Sequence, residues 1–422
     1  MKTLLFLVLI GFILTGCSPV RLIVRDLRTN STYADRIMGV ALYNPATRKY
    51  LIQHNADRPF TPASTTKLFT FYAGLLTLPD SLPVLRYVVR FDSLIFWGTG
   101  NPLLLHPDLP DTTALAFLRN RPERLYFSAV NYNSPRYGPG WAWDDYNDYY
   151  SPERAPLPLY GNVVRFRGKS SSPSRFMDSV QASSESNAVK TIRRAEFSNQ
   201  FLRPAQAGIA VQDVPFRWQA GLAAQLLVDT LHRPVGVVQQ PVSPNARLLR
   251  GIATDSLYKR MLQVSDNFFA EQLLVMIGAE SSTNRLDPTA QLRRVADSVL
   301  HYPAASAKWV DGSGLSRYNL FTPNVLIDLL TKLAALVPQQ RLFALLPAAG
   351  QTGTLRSMAP SDKPYLFAKS GSMSGVYNLS GYLLTRRGKL LYFSVMNNNF
   401  TGSVSAVRQQ TAELLKQIHE RF

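Results

Sequence analysis

Ser64 and Lys67 stand three residues apart in Thr61-Pro-Ala-Ser-Thr-Thr-Lys67, and that spacing puts a hydroxyl and an amine on one face of a helix. A serine hydroxyl becomes a good nucleophile only when a neighbouring base takes its proton. Lysine is such a base only where burial or nearby cations keep it neutral. A helix N-terminus adds free N–H groups and a positive dipole end where an oxyanion would form. The local signals suit a helix start, with Thr61 as cap, Pro62 at the first position, and Leu68, Phe69, Tyr72, Leu75 and Leu76 as the buried stripe. On the spacing alone an ordinary surface helix is the better reading, because Ser256 and Lys259 repeat it.

Two later clusters carry related chemistry. Ser265-Asp266-Asn267 falls between Lys259–Leu262 and the apolar run Phe268–Ile277, and alone it reads as a helix N-cap. Ser243-Pro244-Asn245 shows how readily S-x-N arises. Lys369-Ser370-Gly371-Ser372 ends a strand-like run, where the glycine permits close backbone approach and the lysine and hydroxyl could hold a carboxylate. The plainer alternative is a solvated lysine at a strand end. The five histidines sit in no Ser-His-Asp context and no zinc-ligand spacing. Gly98-Thr-Gly100 lacks the third glycine and the following helix of a phosphate loop, so a turn is expected there. The aromatic stretch Pro139–Tyr150 holds Asp144 and Asp145, either a carbohydrate or cation contact or exposed acids on a buried corner.

These residues must be positioned by elements spread along 422 residues, which is long for one core. Arg36–Tyr43 and Lys49–Gln53 flank a turn and predict a hairpin leading into the Ser64 helix. From about Pro79 short β-like runs between Pro, Asn, Gly and Asp clusters predict inserted, β-rich lobes. The Ser-rich, basic stretch Gly168–Ser198 predicts a mobile or loosely packed region. Helical patterning returns at Phe216–Leu231, Thr254–Ile277 and Leu320–Leu336. Strand-like runs follow at Tyr365–Lys369, Leu379–Leu384 and Leu390–Met396, the last two joined by Arg386-Arg387-Gly388, and Ser403–Ile418 closes the chain as a helix. A hairpin from one end and strands from the other predict one antiparallel sheet with helices packed on it.

The net charge of +18 suits a cell wall or an anionic membrane surface; no nucleic-acid motif is present, so nucleic acid is not expected as a partner. At the N-terminus, Lys2 and the apolar run Leu4–Leu14 end in Leu14-Thr-Gly-Cys17, which resembles a bacterial lipobox. Cys17 is the only cysteine, so it is expected to be the lipid attachment site rather than half of a disulfide. Residues 1–16 are then a lipoprotein signal peptide and 17–32 a tether. The protein is expected to be extracytoplasmic and lipid-anchored, and Ser18 in place of a retention aspartate favours the outer membrane.

Taken in order, S-x-x-K, S-x-N and K-[S/T]-G form the motif set of β-lactamases and penicillin-binding proteins. The surroundings match more narrowly: Pro62-Ala-Ser-Thr-Thr-Lys67, Gly100-Asn-Pro102, Gly140-Trp-Ala-Trp-Asp-Asp145 with Tyr149 and Tyr150, Val264–Glu271, Asp311-Gly-Ser-Gly-Leu-Ser-Arg317, Ala368–Ser372 and Leu379-Ser-Gly-Tyr382. On these pieces the chain resembles the D-alanyl-D-alanine carboxypeptidase/endopeptidase family, the class C low-molecular-mass penicillin-binding proteins. The resemblance implies an α+β, serine β-lactamase/transpeptidase-like antiparallel sheet flanked by helices, formed by 33–78 and 213–422, with inserted lobes over 79–212.

It also implies roles. Ser64 attacks the D-Ala-D-Ala carbonyl and forms an acyl-enzyme, and Lys67 takes its proton. Ser265 relays that proton to the leaving amine, and Asn267 orients the substrate amide and Lys67. Lys369 and Ser370 bind the terminal carboxylate, and the Lys369 charge helps keep Lys67 neutral. The N–H groups of Ser64 and Ser372, beside Gly371, form the oxyanion hole. Asp145 and Arg317 resemble the pocket for the free end of the stem-peptide side chain. Substrates are peptidoglycan stem peptides, β-lactams are covalent inhibitors, and no cofactor or metal is implied. Ser370 stands where the family usually has threonine, and Ser374 where some members place a glutamine. The β-lactamase alternative is disfavoured by the inserted lobes, and a non-catalytic wall-binding scaffold has no need for all five of Ser64, Lys67, Ser265, Asn267 and Lys369. The motifs leave the balance between carboxypeptidase and endopeptidase open.

Overall fold

The computed structural model describes residues 19–182, 191–204, 211–281 and 284–422. Cys17 and the leader lie outside the described residues, and so do 183–190 of the Ser-rich stretch.

Both ends of the chain meet in one antiparallel sheet, in the order Leu366–Met373, Val376–Leu384, Leu390–Asn398, Ile37–Asn44, Lys49–His54. Its inner strands are buried on both faces, which is why they read as nearly unbroken apolar runs. Successive side chains alternate between two helical layers. Leu379, Leu383, Phe393 and Val395 face Leu414, Leu415 and Ile418 of the C-terminal helix Val404–Arg421. Tyr382, Tyr392 and Met396 face Phe69, Leu326 and Leu330, and the buried Tyr382 hydroxyl donates to the Leu330 carbonyl at 2.8 Å. Pro323 opens the helix Pro323–Leu336 and Thr322 caps it, while Leu320 and Phe321, within the predicted helical run, form a short strand.

Several expectations are corrected. Residues 17–32 are not simply a tether, because Pro19–Thr29 is a helix clamped on the sheet beside Lys49–His54. Val20, Ile23, Val24 and Leu27 form the i, i+3, i+4, i+7 stripe that drives this, with Ile23 and Leu27 buried against Val40, Leu42 and Ile52. Arg21, Arg25 and Arg28 occupy its exposed face. The stripe is short and follows the leader directly, so it is easily read as part of the leader's tail.

The inserted lobe is also larger than 79–212. Its main sheet runs Val235–Val237, Arg124–Ser128, Ser93–Gly98, Ser81–Arg90, Arg247–Ala253, so the chain leaves it only at Ala253. The helix Ala220–Leu231 belongs to this lobe, burying Ala223, Leu226 and Leu227 with Phe96, Phe127 and Phe216. An amphipathic pattern reveals that a face is buried but not which sheet buries it. Three strand pairs among the lobe's described residues are parallel, Ser93–Gly98 with Arg124–Ser128, the latter with Val235–Val237, and Phe201–Arg203 with Val180–Ala182, so the lobe is α/β in part rather than only β-rich. Two small three-stranded sheets complete it. Within Gly168–Ser198 the described residues are better packed than predicted, with Phe176 and Ile192 buried and Phe176 against Phe201 and Phe216.

The lobe is locked to the main domain by Gln272, fully buried on the helix Asn267–Ala279. Its amide donates to the Gly100 and Ala155 carbonyls at 2.7 and 2.8 Å and accepts from the Ala155 N–H at 3.1 Å. A buried amide with its hydrogen bonds met fixes register as well as contact.

Candidate active site

Ser64 lies in a 3-10 turn, Ala63–Thr66, that runs into the α-helix Lys67–Thr77. Thr61 does not cap it. Its N–H donates instead to Asn398 Oδ1 at 2.8 Å, while the Thr65 and Thr66 hydroxyls donate back to the Pro62 and Ala63 carbonyls, each at 2.8 Å. The turn is pressed between two backbones that carry glycine at the contact. A Cβ on Gly371 would lie 2.4 Å from the Pro62 oxygen and 2.9 Å from the Ser64 nitrogen. Gly314, at φ +81°, would put one 1.9 Å from the Ala63 oxygen. The strand Leu366–Met373 and the loop after Asp311 therefore close on Ser64 as no other residue type at these two positions would allow.

Lys67 is fully buried and its Nζ has three acceptors: Ser64 Oγ at 2.8 Å, Asn267 Oδ1 at 2.7 Å and the Ser313 carbonyl at 2.7 Å. The Tyr150 carbonyl accepts from Asn267 Nδ2 at 3.1 Å, which fixes the amide orientation. The Asn267 and Ser313 oxygens can only accept. A neutral Lys67 therefore spends its two N–H bonds on them and turns its lone pair to the Ser64 hydroxyl. Burial pushes the Lys67 amine down to about 8, against the pull of Asp311, Asp266 and Glu271. Ser64 and Lys67 meet as the spacing predicts. Ser256 and Lys259, with the same spacing, share no hydrogen bond among the described residues.

Lys369, also fully buried, donates to Ser265 Oγ at 2.9 Å and to the Ser370 carbonyl at 2.7 Å. It lies inside the strand rather than at a solvated end. Burial first and the Lys67 charge second hold its amine well below the ordinary lysine range. Desolvation leads for both amines, and the charge coupling between them falls on Lys369.

The cap at the junction between the helices Thr254–Gln263 and Asn267–Ala279 is Asp266, whose Oδ1 accepts from the Phe269 N–H at 3.2 Å. With the middle residue capping, and Ser265 held at φ +61°, Ser265 and Asn267 are both free to turn into the cleft. Capping thus falls to Asp266, while Ser265 and Asn267 line the cleft.

Ser370 Oγ lies 2.7 Å from Thr354 Oγ1. Ser64, Ser265, Asn267 and Ser372 line a cleft of ≈ 850 Å³ together with Asp145 and Arg317. Asp145 accepts from the Tyr150 hydroxyl at 3.0 Å, and burial raises its carboxyl. Arg317 donates to the Ser374 carbonyl at 2.9 Å and makes no ion pair with Asp145. The main chain of Ser374 thus holds Arg317 in place.

Four contributors have no role assigned to them by the sequence. The Ser313 carbonyl and the Tyr150 carbonyl are main-chain atoms, which side-chain motifs cannot report. Glu271 Oε1 accepts from the Ser313 N–H at 2.7 Å, and burial raises its carboxyl well above the ordinary range. Asp311 accepts from the Trp141 indole, the Gly314 and Ser316 N–H groups and the Asn319 amide, at 2.7–3.0 Å. These two buried carboxylates shape the loop that presents the Ser313 carbonyl to Lys67.

The family described as D-Ala-D-Ala carboxypeptidase 3 (S13) matches the chain over residues 27–418. The D-alanyl-D-alanine carboxypeptidase DacB of Haemophilus influenzae is 24% identical over 433 residues, covering 87% of each chain. The D-alanyl-D-alanine carboxypeptidase of an Actinomadura species is 26% identical, covering 87% of this chain and 78% of its own. In three dimensions the chain is similar to penicillin binding protein 4 of Haemophilus influenzae, with a TM-score of 0.76 and 21% identity over 94% of this chain and 99% of that one.

Proposed function

The chain belongs to the S13 family of D-Ala-D-Ala carboxypeptidases, and from that premise we propose that Ser64 is the nucleophile of a serine carboxypeptidase acting on peptidoglycan stem peptides. The observation that carries this reading is a buried amine, lowered to about 8, 2.8 Å from the Ser64 hydroxyl.

The steps follow from that contact. Neutral Lys67 takes the Ser64 proton as Oγ attacks the carbonyl of the terminal D-Ala-D-Ala bond, and the carbonyl oxygen becomes an oxyanion at the N–H groups of Ser64 and Ser372. Ser265 accepts from Lys369 and so keeps its own O–H for the leaving amine. It hands a proton over as the C–N bond breaks and is resupplied by Lys67. Lys369 and Ser370 hold the terminal carboxylate. A water then attacks the Ser64 ester, giving its proton to Lys67, which passes it to Ser64 Oγ as the ester bond breaks and the shortened peptide leaves. A β-lactam enters the same path and stops at the ester. Serine at 370 keeps the hydroxyl that threonine supplies elsewhere in the family. Asp145 and Arg317 offer one acid and one base to the amino and carboxylate end of a stem-peptide side chain.

Incubation with a monomeric stem peptide is expected to release terminal D-alanine, and a labelled penicillin to add one mass equivalent to the intact protein. Neither product appearing on the wild type would leave the scaffold reading in its place.

The N-terminal sequence supports a second part of the proposal, a lipid on Cys17 that holds the protein at a membrane outside the cytoplasm. Each buried CH₂ of an acyl chain contributes about 0.8 kcal/mol, so two or more chains anchor firmly. Cys17→Ala is expected to move the protein from the membrane fraction to the soluble one. Unchanged membrane association of that variant would end the idea.

A further inference from the structure

A second groove adjoins the cleft at Val264 and Arg260, which line both. It has a volume of ≈ 890 Å³ and lies between the helix Thr254–Gln263 and the turn Gly353–Leu355. The stacked rings of Phe343 and Phe367, 4.0 Å apart, form an aromatic wall. Lys259 and Arg356 stand at its sides, both exposed, and among the described residues neither side chain has an ion-pair or hydrogen-bond partner. Arg260 is already paired with Asp108 and Asp266, so among the described residues Lys259 and Arg356 are the groove's two free cations, and no aspartate or glutamate lines it. Lys259 is the lysine of the second S-x-x-K, the one that shows no hydrogen bond with its serine.

The groove begins one hydrogen bond from the catalytic strand. Thr354, in its lining, meets Ser370 at 2.7 Å, and the reading above gives Ser370 the carboxylate of the leaving residue. The groove therefore opens on the leaving-group side of the scissile bond. When the leaving amine belongs to a single D-alanine, nothing extends past that carboxylate. When it belongs to the side chain of a second stem peptide, the chain continues and must lie in the adjoining surface. Stem peptides carry free carboxylates, and a groove with cations and no acids complements them.

We propose that this groove is the subsite for the leaving strand of a cross-linked substrate, an acidic peptide held by Lys259 and Arg356 against the Phe343–Phe367 pair. The proposal rests on the function assigned to the Ser64 cleft. It assigns no catalytic role to either cation, so their loss acts on binding of one substrate class.

The test compares the full chain with the double variant Lys259→Glu/Arg356→Glu on three probes: a D-Ala-D-Ala monomeric stem peptide, a cross-linked stem-peptide dimer with no free D-Ala-D-Ala end, and a labelled penicillin. The variant is expected to lose about tenfold or more in kcat/KM on the dimer, chiefly through KM, and to stay within about twofold on the other two. The milder Lys259→Ala/Arg356→Ala pair is expected to fall between, and the wild-type KM for the dimer to rise with salt. Equal losses on monomer and dimer, or no loss on either, would overturn the subsite. A wild type that turns over monomer and penicillin but not dimer overturns it too. A wild type inert to all three overturns the underlying function instead.

Discussion

Ser64→Ala is expected to take up no labelled penicillin and to release no D-alanine above background. The substitution removes the atom that forms the ester, so the loss is of the order seen when a serine hydrolase loses its nucleophile, about a millionfold in kcat. It costs the fold little. The Ser64 hydroxyl is hydrogen-bonded to Lys67 Nζ, and without it Lys67 retains Asn267 Oδ1 and the Ser313 carbonyl. Intact-protein mass spectrometry reads the result directly, and thermal melting separates it from misfolding. An adduct of unchanged yield on Ser64→Ala would place the nucleophile elsewhere and undo the account of the cleft.

The next largest effect is expected at Lys67. Lys67→Met keeps the length of the buried side chain and removes the base, so acylation should slow by about 10²–10⁴, the usual range for general-base catalysis. The buried Asn267 and Ser313 oxygens each lose a donor, at about 1–3 kcal/mol of stability per group, so melting should be followed alongside. The wild-type pH profile gives an independent check. Lys67 is depressed to about 8 by burial, and the active form is the unprotonated amine. Raising pH through 8 therefore fills the active form, and below it the acylation rate should fall about tenfold per unit. The slope should vanish in Lys67→Met. A wild-type rate flat from roughly pH 6 to pH 9 would remove Lys67 from this role.

Much of the cleft was legible because its parts are side chains at short, fixed spacings. Ser64 with Lys67 obeys the helical i, i+3 rule even though a 3-10 turn replaces the expected first α-helical turn, since both geometries bring those positions together. Ser265 and Asn267 were ambiguous because serine, aspartate and asparagine serve equally as caps. Only the structure shows that Asp266 alone takes that duty. The antiparallel sheet was legible from both termini because its strands alternate or run apolar over whole lengths.

Two kinds of information were not legible. Main-chain atoms such as the Ser313 carbonyl leave no mark in side-chain identity. Tertiary partnership is also silent: the stripe of Ala220–Leu231 says that one face is covered, and equally fits packing on the main sheet or on the inserted one. The missed boundary at Ala253 follows from that, as does the groove beside the cleft, whose cations Lys259 and Arg356 come from elements almost a hundred residues apart, a helix and a turn.

The clamped helix Pro19–Thr29 bears on where the enzyme can work. It docks at the Lys49–His54 edge of the sheet, whereas the catalytic strand Leu366–Met373 is the opposite edge, about 19 Å away at roughly 4.8 Å per strand. On the proposal of a lipid at Cys17, the anchor lies two residues before the start of this helix in the sequence. The body of the protein, rather than a long leash, then sets how far the mouth reaches into the wall, and bonds beyond that reach stay uncut however fast the chemistry runs.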